Sequence, residues 1–427
     1  MVRLLPSDRR NIFARLLFAW FISLVGDWLY KLALPLLVFE MTGSAVDMAG
    51  AFALTFLPFL IFSLAGGVIA DRFQRRRVLI LCDLSAFVLL IALALAGGWL
   101  ASMPMVYGLA FLVASVTPIH HPSFQAFIPE IVDHDDLPKA NALVSGSDNI
   151  IAIAAPILSG LIIALIGPTQ TIILNALSFL VSALLVSSIP FKAKEKADAV
   201  RRKIADTLRE GFSYAWSHPV LKYGSLLFVG SNFAINVFQA NLIFYLTDIL
   251  HASPRIIGLV FAEIGIGALV GSIIAPWFIR RFESGRIIVV STILAGVFTF
   301  PLLWVRDPFM VGAIWALETT FGTVNAVTYF TLRQRSVPRD ILGRAVAVTR
   351  LVSFSSIPLA SLIGGILLER TDIVVVILVC ACVRLMTGLL ATLSPLMRRR
   401  FPLPAAASRD RDRSKRVFKR FSPRING

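Results

Sequence analysis

Gly67-Val68-Ile69-Ala70-Asp71-Arg72-Phe73-Gln74-Arg75-Arg76-Arg77 lies between two long apolar stretches. A small-residue segment closes one stretch, a basic turn follows, and the next stretch begins. Gly271 to Arg281 reads Gly-Ser-Ile-Ile-Ala-Pro-Trp-Phe-Ile-Arg-Arg, 204 residues further on. It is the same junction in weaker form, with Ala275 where Asp71 stands. A basic turn between apolar spans marks the cytoplasmic side of a membrane. Its recurrence half a chain later predicts two related halves.

A second pair of loops keeps the same frame. Asp136-Leu137-Pro138-Lys139-Ala140 lines up with Asp340-Ile341-Leu342-Gly343-Arg344, again at an offset of 204. Pro156 and Pro358 nearly match, at 202. An offset shared by two separate loops is the mark of a duplicated unit.

Composition agrees with a chain that lives in lipid. Of 427 residues, 57% are apolar and only 15% charged, against roughly a quarter charged in soluble domains. Mean hydropathy is +0.80. Apolar runs of about 20 residues, enough to cross ~30 Å of hydrocarbon, recur along the whole length. The fold class expected is an all-α polytopic membrane protein of 12 transmembrane helices in two pseudo-symmetric six-helix bundles. Spans are expected near 13–39, 46–70, 78–98, 104–127, 140–166, 170–190, 220–247, 255–279, 286–305, 308–332, 342–368 and 372–396. An outer-membrane barrel is excluded, because its strands alternate and give no such runs.

The net charge of +16 is a topology signal rather than a nucleic-acid footprint. With the N-terminus inside, all 41 Lys and Arg except Lys31, Arg255, Arg306, Arg370 and Arg384 fall in cytoplasmic segments or helix ends. This asymmetry predicts both termini in the cytoplasm of a cell with a plasma membrane; contact with anionic membrane lipid is a secondary reading. Cys82, Cys380 and Cys382 all lie within spans, so no disulfide framework is expected. The first apolar stretch is too long for a cleavable signal and is read as helix 1.

The organisation follows. Residues 1–190 are expected as the first bundle, 191–219 as a cytoplasmic linker, 220–396 as the second bundle, and 397–427 as a basic tail with the composition of a disordered segment. Within the linker, Ile204, Leu208, Phe212 and Trp216 recur every four residues, a stripe expected of an interfacial helix or of a linker helix packed on the bundle.

These features resemble the major facilitator superfamily over about residues 12–396. The loop Gly67 to Arg77 is similar to its signature between helices 2 and 3, with Gln74 in place of a usual glycine. Four further stretches resemble the macrolide-efflux and enterobactin-exporter-like branch of drug:proton antiporters: Ser23-Leu24-Val25-Gly26-Asp27, Thr42-Gly43-Ser44-Ala45, Ile128-Pro129-Glu130-Ile131-Val132, and Leu137-Pro138-Lys139-Ala140-Asn141-Ala142. Two departures stand out: Ala155-Pro156 replaces the Gly-Pro frequent in span 5 of such antiporters, and span 4 has no buried arginine.

The resemblance implies a conformational gate of Gly67, Asp71, Arg72, Arg75, Arg76, Arg77, Asp83 and Arg344. Asp71 would face the N-terminus of helix 11 near Leu342 to Arg344, where a carboxylate meets the positive end of a helix dipole. The arginines are expected to pair with Asp83, Glu130 and Asp133, holding the halves together on the inside. The plainer alternative is that they only set topology.

Charges inside the spans carry the chemistry. Asp27 sits about 21 Å along span 1, at ~1.5 Å per residue, and Lys31 follows one turn later on the same face. Glu263 lies mid-span 8, Glu318 mid-span 10 and Arg384 mid-span 12. Each charge at such depth costs at least ~2.5–3.5 kcal/mol unless it faces protein or water. An apolar surrounding favours the neutral form of a carboxylate, which suits proton uptake and release. Asp27, Glu318 and Glu263 are therefore proton-coupling candidates, with fixed ion pairs as the alternative. The resemblance implies that helices 1, 4, 7 and 10 line a central cavity. Lys31, Asn232, Asn236, Gln239, Phe321 and Asn325 are its candidate lining, with Phe233, Phe238, Phe244 and Tyr329 as further aromatics. His120 and His121 point about 100° apart on one helix and have no ligand-spaced Cys or acid, so no metal is expected; a proton relay is open to either.

No cofactor is expected. There is no Gly-x-x-x-x-Gly-Lys-Ser/Thr loop for ATP, and no nucleophile elbow or zinc-protease pair. The function expected is proton-coupled export of an amphipathic organic compound by a monomer working through alternating access. Import or facilitated movement of a small metabolite or lipid on the same fold stays open, and a membrane-embedded lipid enzyme is the remote alternative.

Overall fold

The computed structural model describes residues 7–98, 100, 102–133, 136–190 and 204–398. Every regular element among them is helical. The helices are α1 (Ser7–Thr42), α2 (Ala45–Arg72), α3 (Arg75–Gly98), α4 (Met103–Ile131), α5 (137–166), α6 (168–187), α7 (Ile204–Ser217), α8 (Pro219–Gln239), α9 (Pro254–Arg281), α10 (Ser284–Thr299), α11 (Pro308–Ser336), α12 (Arg339–Phe354), α13 (Ser356–Arg370) and α14 (Ile373–Thr392). With no water in hydrocarbon to satisfy backbone N–H and C=O groups, helices that satisfy them internally are the economical way to span it.

Ten helical stretches among the described residues are long and apolar enough to cross a membrane. One of them, Lys139–Ser187, holds two spans, because Gly167 takes φ 81° and breaks the helix there. Pro168 follows at the first position of α6, where its missing N–H and fixed φ suit a helix start. The three-residue loop expected at 167–169 is thus a single-residue turn. Helix α11, with Glu318 inside it, supplies the remaining span. Two spans read as continuous are broken. Span 11 divides at Ser355 into α12 and α13, and span 7 leaves α8 to end in a π-helical turn, Tyr245–Ile249.

Short turns are capped by local chemistry. Gly43 adopts φ 64°, ending α1, and the Ser44 hydroxyl accepts the Asp47 N–H at 3.2 Å to start α2. Asp307 accepts the Met310 N–H at 2.9 Å at the start of α11. Each cap satisfies a donor that the first helical turn leaves unpaired.

The two six-span bundles of the major facilitator fold are present. In the first, α1 packs along α5 and α6, and α2 along α4, with α3 against α4 and α6. In the second, α9 and α10 pack on α11, while α8 and α10 pack on α14. The bundles meet along α2 with α13 and along α5 with α9. Linker helix α7 lies against α12 and α8. The side chains of Ile204 and Leu208 lie outside the described residues; Phe212 and Trp216 stack 5.2 Å apart on the exposed side.

The span ends at 72–75 and 281–284 form one basic face, and those at Gly43, Gly167 and Ser253 form the opposite face. Close approach between the bundles is concentrated at the latter. A Cβ on Gly258 would lie 3.0 Å from Gly160 Cα, and one on Gly365 would lie 2.7 Å from Ala49 Cβ. Toward the basic face α2 continues past α13 with only sparse contact to α12. Among the described residues, the bundles are closed at the opposite face and packed less closely toward the basic one. Replacing Gly160 by Leu should wedge this seal, since overpacking of this kind costs ~1–3 kcal/mol. Maleimide labelling of an Ala49→Cys thiol, in a background without the native cysteines, should then speed up by roughly fivefold or more, about 1 kcal/mol in population; an unchanged rate would show that the glycine seam does not hold this face shut.

Candidate functional site

Glu318 and Arg384 stand at the centre of the second bundle. Helix α11 presents Glu318 and α14 presents Arg384, with Arg384 Nη2 3.3 Å from Glu318 Oε1 and both side chains 3% exposed. They border a cavity of about 390 Å³ whose wall also includes Asn232, Gln239, Trp315 and Asn325. The Trp315 indole donates to Gln239 Oε1 at 2.7 Å, which fixes that amide. Asn232 Nδ2 donates to the Ser353 carbonyl at 2.8 Å, at the α12–α13 break. Asn325 borders the cavity but spends its amide N–H on Thr292 Oγ1, 2.6 Å away.

Other expected lining residues are turned elsewhere. Asn236 is buried and donates to the Asn232 carbonyl at 2.8 Å, one turn back on its own helix. Phe321 stacks face to face on Phe298 of α10, 5.4 Å away. Phe238 and Tyr329 are core residues, against Trp315 and Phe228 respectively. The aromatics on the cavity wall are Trp315 and Phe228. A helical repeat marks which residues share a face; which neighbour claims that face is a tertiary matter.

Glu263 on α9 is half-buried and does not join Glu318. It points at Gly312 of α11, where there is no side chain to displace it. Lys31 stays within electrostatic reach of Asp27, but its ammonium lies over the Trp28 ring, 4.7 Å from the centroid, rather than on the carboxylate.

The gate residues need a correction at Asp83. It pairs with none of the described arginines. It is fully buried in the first bundle, with the Ser182 hydroxyl donating to Oδ2 at 2.7 Å and His120 Nε2 3.1 Å from Oδ1. Its place in the sequence, eight residues into α3 and flanked by Leu and Cys, carries a depth signal, shallower than the one that singles out Asp27. Arg75 does form an ion pair with Glu130, and Arg344 pairs with Glu210 of α7. Arg76 donates to the Val186 carbonyl at 3.2 Å and to the Ser187 carbonyl, closing the end of α6. Arg77 is exposed. Each of these contacts stays within one bundle or joins it to the linker helix. The side chains of Gly67, Asp71, Arg72, Leu342 and Gly343 lie outside the described residues.

Two residues not singled out from sequence face the space between the bundles. Asp148 of α5 accepts the Trp20 indole N–H at 2.8 Å. Arg350 of α12 lies over the Phe59 ring of α2, 5.6 Å from its centroid, and over Phe354. Both sit about 10 residues inside their helices, Arg350 deeper than the helix-end position the charge count gave it, and the depth rule applied to every charge would have found them.

Two pseudo-symmetric helical bundles around a polar inter-bundle space define a membrane transporter. The comparisons agree. A major-facilitator family model described as "Transmembrane secretion effector" matches residues 5–422, and the chain belongs to that family. Its sequence is 26% identical over 388 residues to an uncharacterized MFS-type transporter, YfiS, of Bacillus subtilis (strain 168), covering 86% of this chain and 89% of the relative. It is 25% identical over 409 residues to the multidrug efflux pump Tap of Mycobacterium tuberculosis (strain ATCC 25618 / H37Rv), covering 90% and 93%. With the enterobactin exporter EntS of Citrobacter koseri it shares 25% over 351 residues, 79% and 80% of the two chains. Among solved structures, the nucleoside transporter NupG aligns with a TM-score of 0.75 at 12% identity, covering 90% of this chain and 99% of that one. A bacterial homologue of the iron transporter ferroportin in its inward-facing state aligns at 0.68 and 16%, covering 90% and 98%. These likenesses show the fold.

The buried pair yields a direct test. Replacing Arg384 by Met leaves Glu318 buried without its counter-charge, and breaking one side of such a pair costs ~3–5 kcal/mol. Thermal unfolding in detergent should show a clear drop for Arg384→Met, with most of the loss recovered in the double variant Glu318→Gln/Arg384→Met. Equal destabilisation of the single and double variants would show that the pair is not what the fold depends on here.

Proposed function

We propose that this major-facilitator transporter exports an amphipathic organic compound from the cytoplasm, exchanging it for protons. The observation that carries the reading is the Glu318–Arg384 pair, buried from solvent yet bordering a cavity lined by amides and aromatic rings. A carboxylate there can take a proton only by giving up its ion pair, which links protonation to a rearrangement of the cavity wall. Asp27 would serve the first bundle in the same way. The similarity to a multidrug efflux pump and to an enterobactin exporter favours export.

The working cycle would be alternating access in the plasma membrane of a bacterium, by a single chain with both termini inside. The bundles, residues 1–190 and 220–396, would rock about the inter-bundle space. With the basic face cytoplasmic, a molecule sealed at the opposite face is open to the cytoplasm, ready to load. Asp71 would latch the basic face against the N-terminus of α12 in the other state. The latch would be one-sided, since Ala275 occupies the matching place in the repeat.

Proteoliposomes under an imposed pH gradient test the reading, with ethidium, erythromycin and a catecholate siderophore as probes. The wild-type chain should drive at least one probe against its gradient. Asp27→Asn and Glu318→Gln should each lower that driven rate by about tenfold or more, the usual scale for losing a proton-transfer group. Undiminished driven transport in both variants would remove these acids from coupling.

A further inference from the structure

Beside Asp27, the interior of the first bundle holds two titratable side chains that the reading above does not use, Asp83 and His120. Asp83 is 0% exposed, and His120, 3.1 Å away, is 13% exposed. Ser182 of α6 holds the other carboxylate oxygen. Asp27 of α1 lies within electrostatic reach of both His120 and Asp83. Four helices therefore converge on two acids and one imidazole. Around them, Lys31 acts on Asp27, and Tyr30 and Cys82 border Asp27 and Asp83. On the side of the inter-bundle space, His121 follows His120 and feels Asp148 of α5 and Arg350 of α12. Trp20 of α1 stacks on His120 at 6.1 Å with the rings 8° from parallel.

The two bundles bury different kinds of pair. The partner of Glu318 is a guanidinium, which does not release its proton in proteins. The partner of Asp83 is an imidazole, which takes a proton on one ring nitrogen and releases one from the other. Two carboxylates beside one imidazole give an added proton more than one atom on which to reside. Asp83 itself has no exposure, and the partly exposed member of its pair is His120. His120 therefore offers a proton a way from the inter-bundle space to Asp83.

We propose that Asp83 and His120 together with Asp27 form the proton-carrying site of the first bundle, with His120 as its entrance. In one cycle a single proton would leave water on one side, reside on His120 or a carboxylate of the cluster, and return to water on the other side. No other bond changes. The inference rests on the proton-coupled reading, and Asp83 exchanges its proton with His120.

Two measurements on the full-length protein test it. First, tryptophan emission is followed from about pH 8 to pH 5, the range in which histidine titrates; a protonated imidazole stacked on an indole quenches it. A quench should appear in the wild type, persist in His121→Gln, whose ring lies edge-on to Trp20 at 5.7 Å, and vanish in His120→Gln and in Trp20→Phe. Asp83→Asn should move its midpoint, because it removes the carboxylate 3.1 Å from the imidazole. Second, ethidium movement in proteoliposomes is compared with and without a pH gradient. The ratio of driven to undriven movement should fall at least about tenfold in His120→Gln. A quench that survives His120→Gln, or a ratio that is unchanged there while the wild type responds, overturns the inference and leaves the proton-coupled reading standing. A wild-type chain that ignores the gradient overturns that reading itself, whatever His120 does.

Discussion

A charge placed in hydrocarbon must find a partner, and much of this architecture answers that requirement. Backbone polar groups meet it by forming helices. Side chains meet it by crossing between helices. Asp83 of α3 reaches His120 of α4 and Ser182 of α6. Glu318 of α11 reaches Arg384 of α14. Each bundle thus carries an acid–base pair in its interior, joining two of its spans. The pairs tie helix identity to position: moving either partner by one residue would swing it away from the other by about 100°.

The pairs are not equivalent, and the difference has a chemical root. An arginine remains charged throughout, so its carboxylate is either paired or protonated. A histidine can itself exchange the proton. The repeat that built two similar bundles has therefore left them with different acid–base characters. The same divergence shows on the basic face, where Asp71 has Ala275 as its counterpart.

The seam between the bundles follows a separate logic. Lipid tails are as apolar as leucine, so helices in a membrane gain by close packing of small residues rather than by burying apolar surface. Gly160 against Gly258, and Gly365 against Ala49, let backbones approach at the face opposite the basic loops. Nearer the basic face, bulkier groups such as Arg350, Phe59 and Phe354 stand between the bundles. Small residues at one end and large, charged ones at the other allow the bundles to separate at one face while touching at the other.

Much of the fold was legible in the sequence alone, for physical reasons. Long apolar runs report the thickness of the bilayer, and the 204-residue offset reports the duplication, because both are one-dimensional signals. Depth within a span likewise singled out Glu318 and Arg384, since a mid-span charge is costly wherever it points. Direction was decided by tertiary structure. Asp83, expected at the gate with the arginines, turns inward to His120 because α3 presents that face to α4 and α6. Phe321 and Asn236, expected on the cavity, are claimed by Phe298 and by their own helix. Lys31, one turn from Asp27, settles on Trp28 instead. The chain alone determined how many spans there are and which positions carry charge; only the packing of helix against helix decided which of those charges meet.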